Sequence, residues 1–136
     1  MLGYGYTGTI VTDTLVSSPN IATNTLFIFG TVTLTYGLWL LYGTAGFQVT
    51  VATGTGTITS AQVSIGTSGG ISGNFCHTDQ STLTVRDATY ISHQVMRIMS
   101  VTTASVSQYL VGKYLFSGCT LNTRVGYSSF YAYRIA

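Results

Sequence analysis

QVMRIMSVTTASVSQYLVGKYLFSGCTLNTRVGYSSFYAYRIA, residues 94–136, is the stretch that decides the fold. Within it, apolar and polar residues alternate through Gln108-Tyr109-Leu110-Val111-Gly112-Lys113-Tyr114-Leu115-Phe116, which is the period of a strand rather than a helix. Ser117-Gly118 supplies a turn, and a Tyr-rich segment runs to the last residues. This pattern predicts a β-hairpin that closes the fold. Its terminal strand should lie inside a sheet, because paired backbone groups and neighbouring side chains are what hold a chain end in place.

Working outward from that segment, helix signals are nearly absent. Glu is missing, good helix formers are scarce, and β-branched and aromatic residues dominate between Gly clusters. Strands are expected over 8–14, 25–29, 31–36, 38–42, 47–53, 57–65, 71–76, 82–85, 90–102, 107–116 and 124–135. Breaks are expected at Ser17-Ser18-Pro19-Asn20, Gly43-Thr44-Ala45-Gly46, Gly54-Thr55-Gly56, Gly66-Thr67-Ser68-Gly69-Gly70, His77-Thr78-Asp79-Gln80, Arg86-Asp87 and Ser117-Gly118. About eight to eleven short strands in one chain indicate an all-β, antiparallel, single-domain jelly-roll sandwich. No repeat period and no composition shift divides residues 1–136, so one domain is expected, with a flexible docking segment at 1–8.

Composition bears on function. Of the 136 residues only 6% are charged, against about 25% in an ordinary soluble domain, while 46% are hydrophobic. A surface so poor in charge has little electrostatic protection against association, so copies of the chain or a partner are expected to cover much of it. On the long strand at 90–102, Ile91, His93, Val95, Arg97, Met99 and Val101 share one face, opposite Tyr90, Ser92, Gln94, Met96, Ile98 and Ser100. Both faces carry apolar residues, so both are expected to be covered, the outer one by a neighbouring subunit.

Other classes find less support. The net charge of +2 is scattered, with no basic run interleaved with aromatics, which argues against nucleic acid. The apolar stretch 26–42 is broken by Gly30, Gly37 and several Thr and alternates with period two, so strands are expected there and no membrane span. No secretory signal is visible after Met1, and Cys76 and Cys119 are expected to remain thiols. Asp13, Asp79 and Asp87 are the only acids and fall in separate segments, where turn and cap roles suffice. Cys76, His77, His93 and Cys119 lack the close spacing of a metal site. No Gly-rich phosphate cradle and no nucleophile elbow is present. No catalytic residue, metal or cofactor is therefore assigned, and the chain is expected not to be an enzyme.

The surplus lies in ten Tyr and Trp39. Aromatics with a polar tip serve cores and subunit interfaces, so Tyr90, His93, Tyr109, Tyr114, Phe116, Tyr127, Tyr131 and Tyr133 are candidates for trimer interface or core. His93 is the candidate to meet its symmetry mates on a three-fold axis. Tyr4 and Tyr6, each flanked by Gly, are candidate docking residues.

The run from Val101 through Val111, then Phe116-Ser117-Gly118-Cys119-Thr120, Gly126 and Ala132-Tyr133-Arg134-Ile135, resembles the closing strands of small phage virion domains. Those strands are written roughly YLVA, FSGGT and A-R-R-I, and the resemblance covers the last third of the chain. Gly112 and Lys113 stand where that family has Ala-Gln, and Tyr133 replaces the first of its paired Arg residues. The family resembles the trimeric tumour-necrosis-factor-like jelly roll and occurs as tail-fibre heads or capsid-decorating knobs. The resemblance implies a homotrimer in the virion, assembled in the host cytoplasm. Its partners would be the major capsid protein or another virion protein, or, as a fibre head, a host surface receptor. Because Met1 is followed almost at once by strand-like sequence, a free-standing decoration protein is expected ahead of a fibre head.

Overall fold

The computed structural model describes the backbone of residues 10–12, 14–15, 20–67, 76–79, 82–123 and 125–136, and the side chains of 20–67, 82–123 and 126–136. Its strands are β1 (Ile10–Thr12), β2 (Thr14–Leu15), β3 (Leu26–Leu34), β4 (Gly37–Thr50), β5 (Gly56–Gly66), β6 (Cys76–Asp79), β7 (Leu83–Val85), β8 (Thr89–Val101), β9 (Val106–Ser117), β10 (Thr120–Asn122) and β11 (Ser129–Arg134), with a 3-10 turn at Val125–Tyr127. Among the described residues all strand pairs are antiparallel and fall into two sheets. Sheet A runs β1-β11-β4-β8, with β10 following β11 along the same edge of β4. Sheet B runs β2-β3-β9-β5, with β6 and β7 sharing the far edge of β5.

The sheets face each other across a continuous apolar core, as expected of a β-sandwich. On β4 the odd-numbered Trp39, Leu41, Ala45, Phe47 and Val49 point inward, while on β9 the even-numbered Leu110 and Tyr114 do so. The Phe47 ring of sheet A meets the Tyr114 ring of sheet B edge-on at 4.7 Å, and Phe29 approaches Tyr114 from β3 at 6.2 Å.

The closing hairpin is not found. The strands on either side of Ser117-Gly118 lie in different sheets: β9 pairs with β3 and β5, whereas β10 pairs with β4, and β11 after it pairs with β4 and β1. Gly118, at φ 69°, turns the chain, but from one layer to the other. Alternation and a turn signal are the same for a hairpin and for such an arch, so the sequence could not separate them. The expected placement of the terminal strand does hold, since β11 lies between β1 and β4. The single strand expected over 124–135 is divided into the 3-10 turn and β11.

Two expected breaks are also absent. Gly43-Thr44-Ala45-Gly46 lies inside the 14-residue β4. Its glycines serve close approach: a Cβ on Gly43 would lie 2.7 Å from Leu110 Cδ1, and one on Gly46 would overlap the Tyr127 carbonyl. Residues 77–79, read as a loop, belong to β6; most of the strand expected over 71–76 lies outside the described residues. Gly30, read as a boundary, sits within β3 beside a register shift between Ile28 and Gly30, and a second shift falls between Ile58 and Ser60. One extra residue reverses which parity faces inward. In β3 the inward set passes from Phe27 and Phe29 to Val32 and Leu34, and in β5 from Ile58 to Ala61, Val63 and Ile65.

Between β10 and β11 the edge of β4 loses its strand partner, and side chains take over the ladder. Ser128 Oγ accepts from the Gly46 amide at 3.0 Å, and Thr123 Oγ1 donates to the Gly46 carbonyl at 2.7 Å. Both hydroxyls are buried, so the backbone polar groups of Gly46 remain paired away from water.

One core group is not paired. The Tyr114 hydroxyl is buried without a hydrogen-bond partner, and burial holds its pKa well above the ordinary tyrosine range. Tyr114→Phe deletes a desolvated hydroxyl and keeps the ring, so we expect unfolding free energy unchanged or raised by up to about 1 kcal/mol. The parent also gains an alkaline weakness. A folded pKa raised above the unfolded value of about 10 confers stability below that pH and loses it as pH rises further. Urea melts from pH 8 to 11 should show a shallower alkaline decline in Tyr114→Phe, and a variant less stable than the parent at pH 8 would contradict this account.

Candidate functional site

The outer face of sheet A is the candidate site. Because β4, β8 and β11 are in continuous register, their outward residues form rows across the sheet. Met96 pairs with Tyr42, which pairs with Tyr131, and Ile98 pairs with Leu40, which pairs with Tyr133. Ser100 opposite Leu38 continues the surface at one end. Toward the other end lie Gln94 opposite Thr44 and Tyr90 opposite Gln48. The Tyr42 and Tyr131 rings are 5.4 Å apart and tilted by 39°, so cross-strand aromatic contact stiffens the middle of the face.

This face is apolar and open. Met96 is 59% exposed, Ile98 60%, and Tyr131 and Tyr133 38% each. Among the described residues, none that points outward from β4, β8, β10 or β11 carries a charge. Isolated exposed apolar residues are ordinary, whereas a contiguous uncharged stripe across three strands marks an interaction surface. β8 adds a second feature: among the described residues it pairs with β4 alone, and its 13 residues include no Pro and no outward Lys, two common devices against edge pairing. The outer face of sheet B differs. Leu26, Ile28 and Leu115 are exposed there too, but Lys113 lies among them, with Leu26 and Gln62 as its cross-strand partners.

The expectation that both faces of β8 are covered holds for one of them within the chain. Its inner face packs on the core, while Tyr90, Met96 and Ile98 on the outer face are exposed. His93 belongs to the inner face, with its ring 6.2 Å from that of Phe47 and 6.0 Å from that of Tyr114. The side chain proposed for a three-fold axis thus packs between the two sheets. Four residues on, Arg97 Nη1 donates to Gln108 Oε1 at 2.8 Å and so ties the sheets together. Gln108 is fully buried, and partial burial lowers the Arg97 pKa.

The remaining candidates separate by location. Tyr114 is core, Phe116 is half-buried against the core, and Tyr109 is half-buried on the outer face of sheet B. Tyr127, in the 3-10 turn, meets Tyr90 edge-on at 5.2 Å. Tyr131 and Tyr133 belong to the stripe, whereas Tyr4 and Tyr6 lie outside the described residues. Sequence reasoning missed Leu40, Tyr42, Met96 and Ile98 as site residues. Their signal was present in the apolar residues on both faces of β8, but naming the stripe required the β4–β8 and β4–β11 registers.

Cys119 is a free, half-buried thiol, and burial pushes its pKa up despite an opposing backbone hydrogen bond at Thr57. Among the described residues no three His, Cys, Asp or Glu side chains are grouped to hold a metal ion, and no helix is long and apolar enough to cross a membrane. No family model, no curated protein and no solved structure matches the chain.

Proposed function

We propose that this chain is a structural protein of a bacteriophage particle, a homotrimeric jelly-roll knob that decorates and cements the capsid surface. The observation that carries the reading is the uncharged stripe of Leu40, Tyr42, Met96, Ile98, Tyr131 and Tyr133, which suits further copies of the same chain. An uncharged face repels no copy of itself, and its burial removes apolar surface from water. Within the five- and six-stranded sheets, the strand orders β1-β11-β4-β8 and β3-β9-β5-β6 support the jelly roll, because a double Greek key sorts eight strands in that way. The likeness of residues 94–136 to phage virion domains supplies the number three and the virion. On the capsid, three linked copies of one weak docking site would bind with additive effect.

Such an assembly holds without ion pairs, so salt should not dissolve it. Light scattering at low micromolar concentration should give three times the 14.5 kDa chain mass in both 0.15 M and 1 M NaCl. Monomers at low salt would overturn the trimer. Binding of the purified protein to undecorated capsids supports decoration.

One observation favours the rival reading, a fibre head that engages a host surface glycan or protein. Tyr90 and Tyr127 line a cleft of about 220 Å³ with Phe47 and Ser92, and exposed aromatic rings stack on sugars. Glycan-array binding without capsid binding would move the assignment to that head.

A further inference from the structure

Where β4 begins and β8 and β11 end, the edge of the sandwich holds a cavity of about 380 Å³, within the size range of small-molecule sites. Its walls include Tyr36, Leu38, Ser100, Thr102 and Arg134. Arg134 is only 1% exposed. Its Nε donates to the Ala136 carbonyl at 3.3 Å and its Cζ stands 6.0 Å from the centre of the Trp39 ring. Nη2, however, is buried without a hydrogen-bond partner. Gly37 makes room for this group: a Cβ there would lie 2.6 Å from Arg134 Nε.

The guanidinium is a cation, so this end of the sandwich holds a buried positive charge. Buried charges are normally paired. The chain has three acids: Asp79 and Asp87 lie with β6 and β7 in sheet B, and Asp13 is outside the described residues. We propose that this cavity binds a carboxylate carried on a short apolar body. The carboxylate would face the guanidinium, whose planar fork matches two carboxylate oxygens, and the body would lie against Leu38, Val101 and Tyr36. A single positive charge suits a monoanion better than a phosphate dianion. Ser100 and Thr102 are hydroxyl-bearing residues beside these mainly apolar walls.

Sodium hexanoate, titrated into uniformly ¹⁵N-labelled protein, tests this directly. The Arg134 Nε–H signal should shift saturably, and the uncharged analogue hexanamide should bind at least about tenfold more weakly, the equivalent of about 1.4 kcal/mol. Arg134→Gln should abolish the preference for hexanoate. In case that variant does not fold, Thr102→Trp fills the cavity from an exposed position and should abolish the hexanoate response while leaving the melting temperature unchanged. Equal binding of hexanoate and hexanamide would overturn the proposal. So would the absence of any saturable shift in the parent, the result expected if a terminal carboxylate on Ala136 already neutralises the guanidinium.

Discussion

Ile98→Lys is expected to yield a folded monomer if the parent chain forms the trimer proposed above. In the single chain Ile98 is 60% exposed on β8, so a lysine there keeps its ammonium in water and changes fold stability by no more than about 0.5 kcal/mol. In an assembly that covers the stripe, the same ammonium is buried against Leu40 and Met96, and no described residue of the face is an acid that could pair it. Leaving a charge buried without a partner costs about 3–5 kcal/mol, which corresponds to a weakening of association of more than about a hundredfold per contact. Leu115→Lys is the control: Leu115 is 46% exposed on sheet B beside Lys113, and its replacement should leave the oligomer intact. Sedimentation equilibrium of the two variants separates the faces. An Ile98→Lys protein that keeps the parent's mass would remove sheet A from the interface, whatever else holds the copies together.

The largest effect on the fold itself is expected at Gly46, where Ala should cost more than about 3 kcal/mol and leave little folded protein at 37 °C. The added Cβ would overlap the carbonyl of Tyr127, a backbone atom that no side-chain rotation can move. Displacing it would pull Ser128 and Thr123 from the Gly46 amide and carbonyl, leaving buried groups unpaired at about 1–3 kcal/mol each. Gly126→Ala, in the adjoining turn, is the matched comparison. It has open space around the new methyl and should be nearly neutral. Circular dichroism and urea titration give both numbers, and a Gly46→Ala protein within 1 kcal/mol of the parent would show that the 123–128 segment is not locked onto β4 as described.

Gly46 also shows why part of the fold was legible and part was not. A sequence displays glycine but not its reason. At 43–46 glycines read as a turn proved to be points where Leu110 and Tyr127 press against a continuous strand. At Gly118 the turn reading was right and its destination wrong, because neither the turn nor the alternation before it states which sheet receives the next strand. The bulges at Ile28/Gly30 and Ile58/Ser60 hid inward faces for a related reason: each inserts one residue, so periodicity counted across it falls out of phase. His93 shared its face with Val95 and Arg97 as expected, yet which side of the sheet is inside depends on the partner layer.

From residue chemistry alone came the all-β class, the long strand near 90–102, the scarcity of charge and the apolar character of both faces of that strand. These are local properties, set by alternation, propensity and composition, and need no knowledge of distant neighbours. The tertiary structure decided the sorting of strands into two sheets, the arch after β9, the side-by-side rows of Met96, Tyr42 and Tyr131 and of Ile98, Leu40 and Tyr133, and the enclosure of Arg134 beside Trp39. Those features depend on contacts between residues far apart in the chain, such as Tyr42 and Tyr131. A strand's own pattern says that it needs a partner, but the geometry of the whole sandwich determines which partner it has.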